Sequence, residues 1–114
     1  MRLFFVAACV LTILASNAPP PAAVGADDPA VTRGRTLFAR VGCYECHGYA
    51  GQGGAAGPHI AATVIPYAAF SAYVRHPDRE MPAFTTRVLS DADLTAIYAF
   101  VHSLPAPSSP APAR

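Results

Sequence analysis

Apolar residues recur at helical spacing in three stretches of this chain, and turn-forming residues separate the stretches. Asp28-Pro29 opens the first, with an aspartate suited to the N-cap and a proline suited to the first helical position. Val31, Leu37, Phe38 and Val41 follow a 3.6-residue period with one gap, and Gly42 suits the C-terminal cap. The gap falls at Gly34. A glycine inside a helix costs about 0.5–1 kcal/mol relative to alanine, so this one predicts another helix crossing close over it. The second stretch follows Pro66 and runs from Tyr67 to about His76, with Phe70, Tyr73 and Val74 along one side and Pro77 as its stop. The third opens on Ser90-Asp91-Ala92-Asp93, an N-cap with a carboxylate at the third helical position. Leu94, Ile97, Tyr98 and Val101 then form an i, i+3, i+4, i+7 stripe to about Ser103, ended by Leu104-Pro105. No Val/Ile-rich strands alternate with these helices, and the pattern predicts an all-α domain.

The connecting segments are equally marked. Residues 48–58 are rich in glycine (48, 51, 53, 54 and 57) and read as a loop without regular structure. No Lys-Ser/Thr pair follows the run and no strand precedes it, so it is not a phosphate cradle. Pro77 to Leu89 forms a second loop carrying Met81-Pro82. The tail, residues 106–114, is Pro/Ala/Ser-rich and expected to be disordered.

The N-terminus reads as a secretory signal rather than as part of the fold. Arg2 gives a positive start, Leu3 to Ala15 an apolar run, and Val24-Gly25-Ala26 a small-residue cleavage site. The run is shorter than the roughly 18 residues needed to cross a bilayer, which disfavours an uncleaved anchor. Cys9 follows Val6-Ala7-Ala8 as in a lipoprotein box, but too early in the chain, and reads as an ordinary apolar residue of the signal. Removal of residues 1–26 leaves one small domain over 27–105 and the tail. That mature chain has seven arginines against seven acids and contains no lysine. The balance argues against nucleic acid as a partner and against a lysine-rich docking ring.

Two cysteines remain, and they lie in Cys43-Tyr44-Glu45-Cys46-His47. Cys-x-x-Cys-His is the attachment signature of a c-type haem. Thiols three residues apart lie on one side of a helical turn and reach the two vinyl groups of one porphyrin, while the next imidazole becomes the proximal iron ligand. A thioredoxin-like redox pair would need a βαβ context. A structural zinc site would need a second Cys/His pair, which the scattered His59, His76 and His102 do not supply. Export supports the haem reading, because bacteria attach c-type haem outside the cytoplasm. A buried porphyrin would also enlarge the core of a domain this small.

His47 leaves one axial position on the iron. Met81 is the strongest candidate, as the only methionine of the mature chain, held in a loop by Pro82. Its ordinary reading would be a core gap-filler. His59 and His76 are the competing ligands. His76, before Pro77 at a helix end, is more simply an exposed cation beside a helix C-terminus, and His102 reads as facing solvent or capping carbonyls.

The ordered set Gly34…Phe38, Cys43-Tyr44-Glu45-Cys46-His47-Gly48, Gly57-Pro58, Met81-Pro82-Ala83-Phe84 and Leu89-Ser90-Asp91-Ala92-Asp93-Leu94 through Ser103-Leu104-Pro105 resembles class I cytochrome c, of the small monohaem kind found in the bacterial periplasm. The resemblance covers essentially the whole mature domain. It implies three to five helices around one covalent haem, with the N- and C-terminal helices crossing. It implies that Gly34 and Phe38 meet an aromatic of the last helix, for which Tyr98 is the first choice and Phe100 the second. It further implies that the Pro58 carbonyl accepts from the ring nitrogen of His47 that faces away from the iron. Arg75 resembles a family arginine beside the haem propionates, against the alternative of a solvated charge at a helix end. Only 33 residues separate His47 from Met81, fewer than in mitochondrial cytochromes, so the loop over the propionate edge must be short.

The expected function is a periplasmic one-electron carrier without catalysis. Its expected redox partners are a periplasmic dehydrogenase or respiratory complex and an oxidase. The rival is a five-coordinate haem enzyme or gas sensor in which Met81 is displaced and His76 or Arg79 serves as the distal group.

Overall fold

The computed structural model describes residues 25 and 28–106. The expected leader and its Cys9 lie outside the described residues apart from Gly25, as does the expected tail apart from Ala106. Four helices follow one another: α1 (Pro29–Arg40), α2 (Cys43–His47), α3 (Tyr67–Arg75) and α4 (Asp91–Ser103). Among the described residues the sole β feature is an isolated bridge between Gly54 and Gly57. The architecture is all-α.

The helix starts follow from their caps. The Asp28 carboxylate accepts from the Ala30 amide at 2.7 Å, with Pro29 at the first helical position. The Ser90 hydroxyl accepts from the Asp93 amide at 3.1 Å. Gly42, at φ +86°, takes the left-handed conformation between α1 and α2. The haem-signature pentapeptide is thus a helix of its own rather than a continuation of α1. Helix α3 ends at Arg75, because His76 leaves helical geometry one residue before Pro77.

The principal helix–helix interface is α1 against α4. It closes at Gly34, where a β-carbon would stand 1.9 Å from the Ala96 carbonyl oxygen and 2.8 Å from the Phe100 Cβ. Beside the crossing, the Phe38 and Phe100 rings meet edge to face with centroids 5.4 Å apart. The Arg35 guanidinium carbon lies 5.6 Å from the Phe100 centroid, which places a cation over the same ring. Phe100, not Tyr98, is therefore the aromatic that meets Gly34 and Phe38. Tyr98 packs instead against Tyr67 and Phe70 of α3, with centroids 5.4 and 5.2 Å away, and its hydroxyl donates to the Ile65 carbonyl at 2.8 Å. Its polar tip needs that partner, which the α1 crossing does not provide.

An ion pair between Arg33 and Asp93 ties the rim of the crossing. The hydrogen bond from Arg33, followed by that from Ser90, holds the Asp93 carboxyl below its ordinary range. Both groups are exposed enough for solvent to weaken the pair.

Two outcomes are expected. Gly34→Ala forces the α1 and α4 backbones apart and lowers unfolding free energy in urea by about 3 kcal/mol, the upper end for overpacking, because the clash is with a carbonyl rather than a movable side chain. Because the Asp93 pKa is lower folded than unfolded, its contribution is present above the ordinary carboxylate range and lost as pH falls through the folded value. The stability margin of the wild type over Asp93→Asn therefore shrinks as pH drops below about 4, as read from urea midpoints along a pH series.

Candidate functional site

Helix α2 puts Cys43 and Cys46 one helical turn apart, both half-buried and neither in a disulfide. Burial, opposed by a backbone hydrogen bond and aided by the nearby Cys46, pushes the Cys43 thiol up to about 11. An activated redox pair shows the opposite shift, toward thiolate. Among the described residues no three His, Cys, Asp or Glu side chains converge as a metal-holding group, so a structural zinc has no ligand set there.

His47 is buried, and its Nδ1 lies 2.8 Å from the Pro58 carbonyl oxygen. A carbonyl can only accept, so Nδ1 carries a proton, and it is the tautomer with its lone pair on Nε2 that fits this contact. The glycine-rich loop makes this contact by folding back along α2. The Gly53 amide donates to the His47 carbonyl at 2.8 Å, and the Ile60 and Ala61 amides both donate to Gly51 at 2.8 and 3.0 Å. The loop packs backbone to backbone: a β-carbon on Gly53 would lie 2.6 Å from the His59 nitrogen, and one on Gly57 would lie 2.9 Å from the Cys46 carbonyl oxygen. Glycine is what lets the loop bring Pro58 under the imidazole.

Two adjoining cavities share His47, Pro58, Tyr73 and Met81. The first has apolar walls built from Phe38 of α1, Val74 of α3, Leu94, Ile97 and Val101 of α4, and Phe84 and Leu89 of the loop between them; Cys43 also lines it. The second is lined by Cys46 and by the charged Arg79 and Glu80. The walls suit a planar apolar macrocycle. One thiol lines each cavity, and an imidazole with a free lone pair and a thioether line both. The donor set fits a porphyrin iron with one soft and one borderline ligand.

Of the residues singled out from the sequence, Cys43, Cys46, His47, Pro58 and Met81 are thus gathered around one space. Arg75 is not. It lines neither cavity, and its side chain, 12% exposed, donates through Nη1 to the Phe84 and Leu89 carbonyls and through Nη2 to Asp91 Oδ1, each at 2.7 Å. Its partners are thus three oxygens of one short segment, residues 84–91, rather than the open solvent of a free helix-end charge. The arginine beside the cavity is Arg79. His59, His76 and His102 are all exposed and line neither cavity. Ile60, Thr63 and Ile65 also line the first cavity. Sequence reading passed over them, because this segment has no periodicity, and only its apolar content between the glycine run and Pro66 marked it.

The family described as "Cytochrome C oxidase, cbb3-type, subunit III" matches residues 29–101, more than half of the chain. The chain belongs to this family of c-type cytochrome domains. Such a domain carries a covalently bound c-type haem and is a haem-based electron carrier. The match begins at the start of α1 and ends inside α4, so it spans both walls of the crossing and both loops. No curated protein and no solved structure matches the chain. No helix among the described residues is long and apolar enough to cross a membrane.

Gly53→Ala tests the loop that supports His47. Gly53 has φ +78°, where a side chain costs about 1–2 kcal/mol, and the new methyl would push on His59. The expected result is faster solvent exchange of the His47 Nδ1 proton by NMR, with the helices intact.

Proposed function

We propose that this domain is a periplasmic one-electron carrier in which Cys43 and Cys46 hold the porphyrin and His47 and Met81 hold its iron. The observation that carries the reading is that His47 and Met81 line the same two cavities, while the Pro58 carbonyl commits His47 to presenting Nε2. Bound there, the haem supplies an Fe(II)/Fe(III) couple. Pro58 orients the imidazole and raises its basicity. The thioether favours the reduced metal relative to harder ligands. The apolar walls would limit water, and with His47 and Met81 both holding the iron the chain would offer no open site for oxygen or peroxide.

Two features support the location and the partners. The leader-like residues 1–26 fit export to the compartment where c-type haem is attached. Ile65 and Tyr73 line the first cavity while remaining 44% and 41% exposed. They give the haem edge a partly apolar rim suited to brief contact through a small interface. Donors would be a dehydrogenase or respiratory complex. The name of the matched family favours an oxidase as acceptor.

Arg79 in the second cavity favours one other reading, a haem enzyme or gas sensor with Met81 displaced. Carbon monoxide separates the two. The reduced wild type is expected not to bind it, and Met81→Ala is expected to bind it, to lose the methionine-to-iron charge-transfer band of the oxidised state and to fall in midpoint potential. Carbon monoxide binding by the wild type at neutral pH would favour the rival.

A further inference from the structure

The loop that carries Met81 is fastened at its base by one side chain. Arg75 is the last residue of α3. Its guanidinium reaches across the loop to the Phe84 carbonyl, nine residues on, and to the Leu89 carbonyl. It also reaches the Asp91 carboxylate in the first turn of α4. Phe84 is held from its other side as well, since its amide donates to the Val74 carbonyl at 3.1 Å. Residues 75–84 are therefore a closed ring, pinned at both ends, with Met81 three residues before the pin. Phe84 and Leu89 line the first cavity with Met81. Both Nη1 hydrogens are used on carbonyls, and no buried side-chain nitrogen or oxygen among the described residues lacks a partner. A planar guanidinium reaches these three acceptors from two separate nitrogens, whereas a lysine offers its three hydrogens from one nitrogen and a neutral amide offers only two.

We propose that Arg75 is a positioning residue for Met81, a latch that keeps the thioether on the iron against competing ligands. The proposal rests on the reading of Met81 as an iron ligand. Without the latch the loop regains the freedom that closure had removed. The sulfur then leaves the iron more often, while α1, α2 and α4 keep their packing. Asp91 is the exposed half of the ion pair, at 75% against 12% for Arg75, so the two backbone carbonyls carry most of the hold.

The test titrates the oxidised haem-loaded protein with imidazole and follows the methionine-to-iron band. Arg75→Gln is expected to raise imidazole affinity by about tenfold, the scale of one charge-assisted bond, and to weaken the band. Val31→Ala, which loosens the α1 packing away from the cavities at a comparable stability cost, is expected to leave both unchanged. Arg75→Lys is expected to rescue only part of the effect. Should Arg75→Gln not accumulate with haem, Arg75→Lys carries the prediction by itself, with affinity raised about threefold, a fraction of that same bond. Imidazole affinity and band in the arginine variants equal to those of Val31→Ala would overturn the latch while leaving Met81 ligation standing. Absence of the band from the wild type, with Met81→Ala binding imidazole no more tightly, would overturn the ligation and the latch together.

Discussion

Everything in this domain hangs on the contact of α1 with α4 at Gly34. The Ala96 carbonyl occupies the volume where any other residue would place its β-carbon, so the two helices meet with backbone against backbone. That closeness gives the cavity a back wall: Phe38 from one helix, and Leu94, Ile97 and Val101 from the other. Gly42 then turns the chain directly into the five-residue helix that holds both thiols and His47. A glycine that weakens α1 locally is thus what allows the rest to assemble.

Two loops of opposite character complete the site. The loop after α2 is glycine-rich because it packs its backbone against the motif helix, and it delivers a carbonyl to His47. The loop after α3 is held at its base by a side chain, the Arg75 fork, and carries a thioether. One loop sets the proton position and direction of the His47 imidazole. The other carries the proposed second ligand on a long, flexible side chain, which needs outside restraint to hold a fixed place. The walls of the first cavity are apolar, and the charged Arg79 and Glu80 line the second.

Much of this was legible in the residues. The caps Asp28-Pro29 and Ser90…Asp93 gave the starts of α1 and α4, Pro77 stopped α3, and Gly34 announced a crossing. Cys-x-x-Cys-His gave the chemistry before any coordinates. The failures have physical causes. Helix α4 buries a broad face, with Ala96 and Phe100 against α1 and Leu94, Ile97 and Val101 toward the cavity. A single stripe drawn through Leu94, Ile97, Tyr98 and Val101 captures only one of its neighbours, and so it set Tyr98 where Phe100 belongs. For Arg75 the residues alone did not fix a partner, because a guanidinium donates to any oxygen within reach. Sequence does not distinguish a propionate from the Phe84 and Leu89 carbonyls, and only the path of the loop decides. Ile60, Thr63 and Ile65 belong to a segment without period, whose position depends on the bonds from Ile60 and Ala61 to Gly51.

The central claim is that a nitrogen from His47 and a sulfur from Met81 share one iron. X-ray absorption at the iron edge of the haem-loaded protein tests it most directly, because it counts the atoms bound to the metal. One sulfur neighbour in both the oxidised and reduced states, lost in Met81→Ala, is the expected result. An iron surrounded by nitrogen and oxygen alone, or one with a vacant axial position, would contradict it.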